Sequence, residues 1–489
     1  MNHALRRISL ACLVLFVALL VNVNYVQGFQ TNYLADKPGN ARTFAEQFNY
    51  QRGSIVTSDN VTVAESKHVS GIYSYQRYYP QGPVYAPVTG YDTLYSTTGI
   101  EQAENKNLSG STPALTVPNL VDLITGKPKQ GAKVQLTINS AAQQAAYHAL
   151  AQTKLPSGAV AIDPSTGAIL ALASYPTFNP NKYATLDGNQ LNAVDAKYQH
   201  DPAQPLLNRA IDATFPPGST FKIVTSSTAF ATGRYNPNTV VFAPTNLSLP
   251  GTTKQLINYD NLPCGDGTGH ESVILSFTFS CNTVFGNIGM HLGGAALHQQ
   301  AGKFGFNTPL NIPVPVAESR YPPVSDPALT AYSAIGQYND QVTPLQEAML
   351  SAAIANHGTL MKPYLVQKVT APDTSTLESA QPSALSQAVS SQVAGEVAQL
   401  MQSVVDNPQG TAHFSAYFPN LPIACKTGTA QNGVNNTGLD DAVITCFSSN
   451  PEIAVGVIVK GGGLGADASA PVAVAIIKAY KQYLDTQGK

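Results

Sequence analysis

The hydrophobic and polar positions of this chain fall into stretches of different rhythm. The first is unbroken. After Arg6 and Arg7 an apolar run over residues 8–21 continues through Asn22 and Asn24 to Tyr25 and Val26. An apolar run of about 20 residues predicts a helix of membrane-spanning length. Arginines on its N-terminal side predict a cytoplasmic N-terminus, with the rest of the chain outside. Val26-Gln27-Gly28 is a poor small-x-small cleavage site, so residues 1–28 read as an uncleaved cytoplasmic tip and anchor rather than a removed signal peptide. Over residues 29–132 the periodicity fades into Tyr, Gly, Pro, Ser and Thr, which predicts a small domain of short strands and loops. Residues 51–56 and 84–91 have strand-and-turn composition, and Gly99-Ile100-Glu101 opens a polar helical stretch. No convergent set of acids and bases falls here, so this domain is expected to support or dock, as a pedestal or dimerisation unit.

A new pattern starts at Lys133. Residues 134–138 alternate as a strand, and Ser140 is placed to cap a helix over 141–151. Strand runs at 158–162 and 168–173 flank Asp163-Pro164-Ser165-Thr166-Gly167, which predicts a hairpin. Helical patterns follow at 220–231, 273–280, 283–292 and 344–356. Strands return at 423–429, 441–447 and 453–459, and an apolar-striped helix over 471–484 closes the chain. Strands from both ends enclosing helices predict an α+β domain over 133–489, its antiparallel sheet flanked by helices, preceded by the smaller β-rich domain and one transmembrane helix. No internal repeat is evident. The run Gly461-Gly462-Gly463 precedes no immediate helix and reads as a loop, not a phosphate cradle.

Composition narrows the function. The 489 residues exceed one ordinary core, and 43% of them are hydrophobic. Only 11% are charged, so the polar surface must be built largely from Ser, Thr, Asn and Gln. With 27 basic against 29 acidic residues, the chain has no electrostatic grip on nucleic acid or on an anionic membrane surface. Nine histidines lie scattered, without H-E-x-x-H or Cys/His clustering, so neither a metal nor another cofactor is expected. Of five cysteines Cys12 lies in the anchor. Cys264, Cys281, Cys425 and Cys446 remain for an oxidising compartment, with three pairings open.

The candidate chemistry sits in three short stretches. Pro216-Pro217-Gly218 ends whatever precedes it, and the helix that follows carries Ser219 in its first turn and Lys222 one turn on. A serine becomes a nucleophile when a base takes its proton, and a lysine serves if burial or nearby positive charge keeps it neutral. Alone, S-x-x-K is better explained by a solvated lysine on a serine-capped helix. Further on, Ser280-Cys281-Asn282 lies between two helical patterns, where residues two apart can face one cleft. Lys426-Thr427-Gly428-Thr429 lies on a strand, where a cation, a hydroxyl and a glycine suit a carboxylate and an extended peptide.

The three stretches, in this order, resemble the S-x-x-K, S-x-N and K-T-G signature of β-lactamases and penicillin-binding proteins. Arg52-Gly53-x-Ile55, residues 85–91, Gly99-Ile100-Glu101 and the blocks 335–337 and 343–346 are similar to class B, monofunctional penicillin-binding proteins. The resemblance implies a transpeptidase domain of the serine β-lactamase-like fold. It also implies a peptidoglycan D,D-transpeptidase active in wall synthesis during division or growth. Ser219 would be the nucleophile and Lys222 its base. Ser280 would relay protons, Asn282 would bind the substrate amide, and Lys426, Thr427 and Thr429 would hold the terminal carboxylate beside Gly428. The N–H groups of Ser219 and Thr429 would form the oxyanion hole. Its partners would be donor stem peptides ending in D-Ala-D-Ala, acceptor amines, β-lactams, and a membrane glycan polymerase or division complex. A D,D-carboxypeptidase and a non-catalytic β-lactam receptor are the alternatives.

Two departures stand out. The Arg-Gly-x-Ile stretch continues as Val56-Thr57-Ser58-Asp59-Asn60, where the family usually has an Asp-Arg-Asn-Gly-like turn. The positions of Cys425 and Cys446 are often glycine in the family. In a hairpin centred between Asn435 and Asn436 they face each other, which suggests a 425–446 disulfide and leaves 264–281 as the second.

Overall fold

The strands from the two ends of the C-terminal unit form one antiparallel sheet, in the order Ile423–Ala430, Asp441–Ser449, Glu452–Val459, Ser157–Ile162 and Ile169–Tyr175. The computed structural model describes residues 2–30, 33–34, 47–115, 129–431 and 438–488. The central strands are buried along almost their whole length because helices cover both faces. Helices Pro344–Ala355 and Ser391–Asp406 pack on one side, and Ser140–Thr153 and Ala470–Thr486 on the other. Each fully buried Val or Ile in such a layer contributes roughly 1.5–3 kcal/mol, which makes this sheet a rigid platform for its outermost strand, Ile423–Ala430.

Cys425 and Cys446 are paired in register on neighbouring strands and bonded, with Cα atoms 4.1 Å apart. The proposed hairpin centre at Asn435 and Asn436 lies outside the described residues. Cys264 and Cys281 form the second bond. Closing a loop of 21 residues is worth about 3 kcal/mol in lost unfolded-state entropy. The Cys425→Ala, Cys446→Ala double variant should therefore unfold at a lower temperature, with reduced wild type shifting the same way. An unchanged midpoint would count against the bond.

A second, six-stranded sheet runs Thr376–Ser379, Val366–Thr370, Lys133–Leu136, Ile55–Val56, Thr62–His68 and Tyr75–Tyr78. Lys133–Leu136, the first strand after the expected boundary at 132, thus pairs with strands from both sides of it. The smaller unit is tied together by Glu101, which accepts from Arg52 Nε and Arg77 Nε at 2.6 Å each and from the Tyr79 hydroxyl at 3.2 Å, all buried. Burial pushes this carboxyl up, yet the charges of Arg77 and Arg52 outweigh it and hold it below its ordinary value. Leu5–Phe29 is a helix long and apolar enough to cross a membrane.

Several local expectations need correction. Residues 84–91 do not form a strand and turn: Gly82–Thr89 is a helix, with Pro83 in its first turn and Tyr85, Ala86 and Val88 buried. Pro83 is tolerated there because the first helical N–H groups need no intrahelical partner. The helix over 140–153 is capped not by Ser140 but by Asn139, whose side chain accepts from Ala142 N, while the Ser140 hydroxyl bonds Asp59. The strand expected over 134–138 ends at Leu136, and the helix expected over 273–280 is Val273–Thr278.

Candidate active site

Ser219 lies in a 3₁₀ turn, Gly218–Phe221, that runs directly into the helix Lys222–Ala231, so the nucleophile candidate precedes the α-helix rather than opening it. The turn is wedged between two backbones that only glycine permits so close. A Cβ on Gly336, which has φ +76°, would lie 2.0 Å from Gly218 O, and one on Gly428 would lie 2.8 Å from Pro217 O. Gly218 N–H donates to Gly336 O at 2.9 Å. The edge strand and the Ile335–Gln337 segment together fix where Ser219 sits.

The second stretch is an abrupt connection. Val273–Thr278 ends, Ser280 takes φ +59°, and Asn282 begins the helix Asn282–Leu292. A non-glycine residue in that left-handed region costs about 1–3 kcal/mol, which the surrounding structure offsets. The result is that Ser280 and Asn282 both turn toward Lys222, while Cys281 between them is buried in its bond to Cys264.

Lys222 is the hub. Its Nζ lies 3.0 Å from Ser219 Oγ, 2.7 Å from the Ser280 main-chain oxygen, 2.8 Å from Asn282 Oδ1 and 3.2 Å from Ser280 Oγ. The Asn282 amide is oriented by its other end, where Nδ2 donates to Ile257 O at 3.1 Å. A main-chain oxygen and an amide oxygen can only accept. They take both N–H groups of a neutral amine and leave its lone pair for the Ser219 hydroxyl. Burial holds this amine well below the ordinary lysine value of 10.5, and the charge of Lys426 pushes in the same direction. Lys426 Nζ donates to Ser280 Oγ and to Thr427 O, both at 2.9 Å. Burial lowers it to about 7. Ser280 Oγ thus bridges the two amines. Phe285 lies 5.6 Å from Lys222 Nζ and Phe277 lies 5.4 Å from Lys426 Nζ, an aromatic floor that excludes water yet favours positive charge.

The third stretch presents its main chain. The short Cα separation at Cys425 and Cys446 marks a pair that exchanges no ladder bonds, and the alternation extends this to Thr427 and Thr429. Their N–H and C=O groups face the open edge of the sheet, where Thr427 O meets Lys426 Nζ and Thr429 O faces Gly218. Ser219, Ser280, Asn282, Thr427 and Thr429 line one cleft of about 1460 Å³ with Gln337 and Thr411. Lys222 and Lys426 are fully buried behind it. Lys426 therefore lends its charge to the cleft from behind Thr427.

All eight sequence-designated residues, Gly428 included, converge here. Thr411, whose hydroxyl is 2.7 Å from that of Thr427, was not anticipated. Pro408 and Gly410 signal a turn near it but nothing in the sequence joins it to Thr427. Glu347 was also missed. It lies under the nucleophile turn, 2.8 Å from the Thr220 hydroxyl.

A half-buried serine beside a buried lysine one turn on, a second serine between two lysines and an open-edged strand define a lysine-activated serine acyl-transfer site on a sheet flanked by helices. The penicillin binding protein transpeptidase domain matches residues 157–478, and the penicillin binding protein A dimerisation domain matches residues 52–134. The chain belongs to the penicillin-binding protein transpeptidases. Within them it is similar to the peptidoglycan D,D-transpeptidase PbpA of Mycolicibacterium smegmatis, at 39% identity over 98% of this chain and 99% of that one. The PbpA of Mycobacterium tuberculosis is 38% identical over 99% of each. The structure superposes on the ceftriaxone acyl-enzyme complex of M. tuberculosis penicillin-binding protein A with a TM-score of 0.85, 36% identity and coverage of 89% of this chain and 99% of that one.

Proposed function

We propose that this protein is a peptidoglycan D,D-transpeptidase in which Ser219 is the nucleophile and Lys222 its base. The observation that carries the reading is the set of two acceptor-only partners on Lys222, which leaves its lone pair on Ser219 Oγ at the floor of the cleft. Lys222 takes the Ser219 proton as Oγ attacks the penultimate D-alanyl carbonyl of a donor stem peptide. The N–H groups of Ser219 and Thr429 receive the oxyanion, an interaction whose loss typically costs ~10²–10³ in rate. The C–N bond then breaks. D-alanine leaves with the proton, passed from Lys222 through Ser280 Oγ, and the donor remains as a Ser219 ester. An acceptor amine attacks this ester and gives its proton to Lys222, which passes it to Ser219 Oγ as the ester C–O bond breaks; the cross-linked product leaves with the Ser219 hydroxyl and the neutral Lys222 restored. The donor carboxylate lies against Thr427 and Thr429 with Lys426 behind them, and its negative charge raises the proton affinity of that lysine again. Asn282 orients Lys222 through Oδ1, a positioning task beside the substrate-amide contact that the family resemblance implies. A β-lactam presents the same carbonyl in a strained ring and is trapped as the acyl-enzyme.

The apolar helix over 5–29 anchors the chain in a bacterial cell membrane as a single pass. Arg6 and Arg7 keep the N-terminus cytoplasmic, residues 29–132 form the non-catalytic domain, and residues 133–489 form the transpeptidase domain outside. A membrane glycan polymerase or division complex supplies the strands to be linked. The test is incubation of the full chain with a pentapeptide ending in D-Ala-D-Ala and an acceptor amine. Cross-linked product together with released D-alanine is expected. Release of D-alanine without that product would assign a carboxypeptidase instead.

A further inference from the structure

Glu347 sits on the helix Pro344–Ala355, fully buried beneath the sheet. Its Oε1 lies 2.8 Å from Thr220 Oγ1, and that same hydroxyl lies 2.8 Å from the main-chain oxygen of Pro217. A hydroxyl carries one proton and a carbonyl carries none. If Thr220 gives its proton to a carboxylate, Oγ1 and Pro217 O face each other as two acceptors with nothing between them. If it gives the proton to Pro217, the proton of the second contact belongs to Glu347. Both contacts are satisfied only by the acid form. The other oxygen, Oε2, is buried without a hydrogen-bond partner among the described residues, a costly place for half of a carboxylate charge. The residue is also pinned from the sheet side. Its main-chain oxygen accepts from Thr445 Oγ1 at 2.5 Å, and Thr445 is the register partner of Lys426.

We propose that Glu347 is a neutral carboxylic acid in the folded protein and positions the nucleophile turn by donating its proton to Thr220, the residue after Ser219. This rests on the reading of Ser219 as nucleophile. The elements packed on its helix carry Asp441, Glu452, Glu396 and Asp406 as their titratable side chains, and those packed on the Thr220 turn add Lys222 and Lys426. None of these charges is among the causes acting on it: burial pushes the carboxyl up to about 8, and only a Thr220 hydroxyl donating to the carboxylate, in place of Pro217 O, opposes this. In the unfolded chain the same group ionises near 4.5. The folded state therefore holds a proton that the unfolded state releases, and stability falls as pH rises from about 4.5 to about 8, then levels.

The test compares the full chain with Glu347→Gln between pH 5 and pH 9.5, following the thermal midpoint and the rate of acylation by a fluorescent penicillin. The glutamine N–H donates to Thr220 at every pH. Relative to that variant, the wild-type midpoint should drop by roughly 5 °C between pH 5 and pH 8 and hold steady above. At pH 7 the two acylation rates should agree within about threefold, and above pH 8 the wild type should fall behind as the donor is lost. A midpoint difference that stays flat or runs the other way, or a rate ratio constant through pH 8, would overturn the proposal. An error in the nucleophile assignment shows separately, as acylation that survives in Ser219→Ala, and leaves the midpoint comparison untouched.

Discussion

Ser219→Ala is expected to abolish covalent labelling by penicillin and to cut donor-peptide turnover by ~10⁵-fold or more, the scale on which serine enzymes lose activity when the nucleophile goes. The fold should survive. Ser219 is partly exposed at the cleft, and the turn around it is held by Gly218 N–H on Gly336 O and by the Thr220 hydroxyl on Pro217 O, neither of which uses the serine side chain. Among the described residues its one side-chain bond is the contact with Lys222, which keeps its partners at Ser280 and Asn282. The variant should therefore bind substrate and β-lactam reversibly while forming no adduct. An adduct of full penicillin mass on the variant would place the nucleophile elsewhere.

Lys222→Arg should be nearly as severe, with acylation slowed by ~10³–10⁴-fold at neutral pH. A guanidinium stays protonated, so it has no lone pair to offer Ser219. It is also larger than the amine and would have to fit a fully buried site against Phe285 while Lys426 stands nearby. Keeping the charge is thus not a conservative change: the native lysine works because burial first, and Lys426 second, strip its proton. Substrate affinity should change far less than the acylation rate, because Lys222 lies behind the cleft wall. A variant acylating within tenfold of wild type would mean that Lys222 is not the base.

The sheet and its covering helices were legible because long periodic runs report burial directly: 140–153, 344–355 and the strands 441–449 and 452–459 all fall where the pattern placed them, within a few residues. Gly82–Thr89 was not legible, since Pro83 and Pro87 argue against a helix locally. Tertiary contact overrides them, with Tyr85, Ala86 and Val88 buried and Gln143 Nε2 donating to Val84 O at 2.8 Å. The site shows the same division. Motifs located Ser219, Lys222, Ser280, Asn282 and Lys426, yet no motif says that Ser280 must adopt φ +59° or that its main-chain oxygen, not only its hydroxyl, holds Lys222. Glu347 was hidden for the opposite reason. An acidic residue inside an apolar helix reads as its solvent face, and only the packing of that helix under the sheet shows it turned inward to Thr220. Thr411 reaches the cleft through a hydroxyl contact across two elements, which no local pattern encodes.

The central claim is that Ser219 is activated by a neutral Lys222, and the pre-steady-state acylation rate against pH tests it most directly. Because the Lys222 amine is held well below 10.5, the rate should finish climbing well short of that pH and have no ascending limb left as pH 10 is approached. In Lys222→Arg the ascending limb should vanish. A wild-type rate that still rises about tenfold per pH unit from pH 8 to pH 10 would show a lysine titrating at its ordinary value, and would contradict the account.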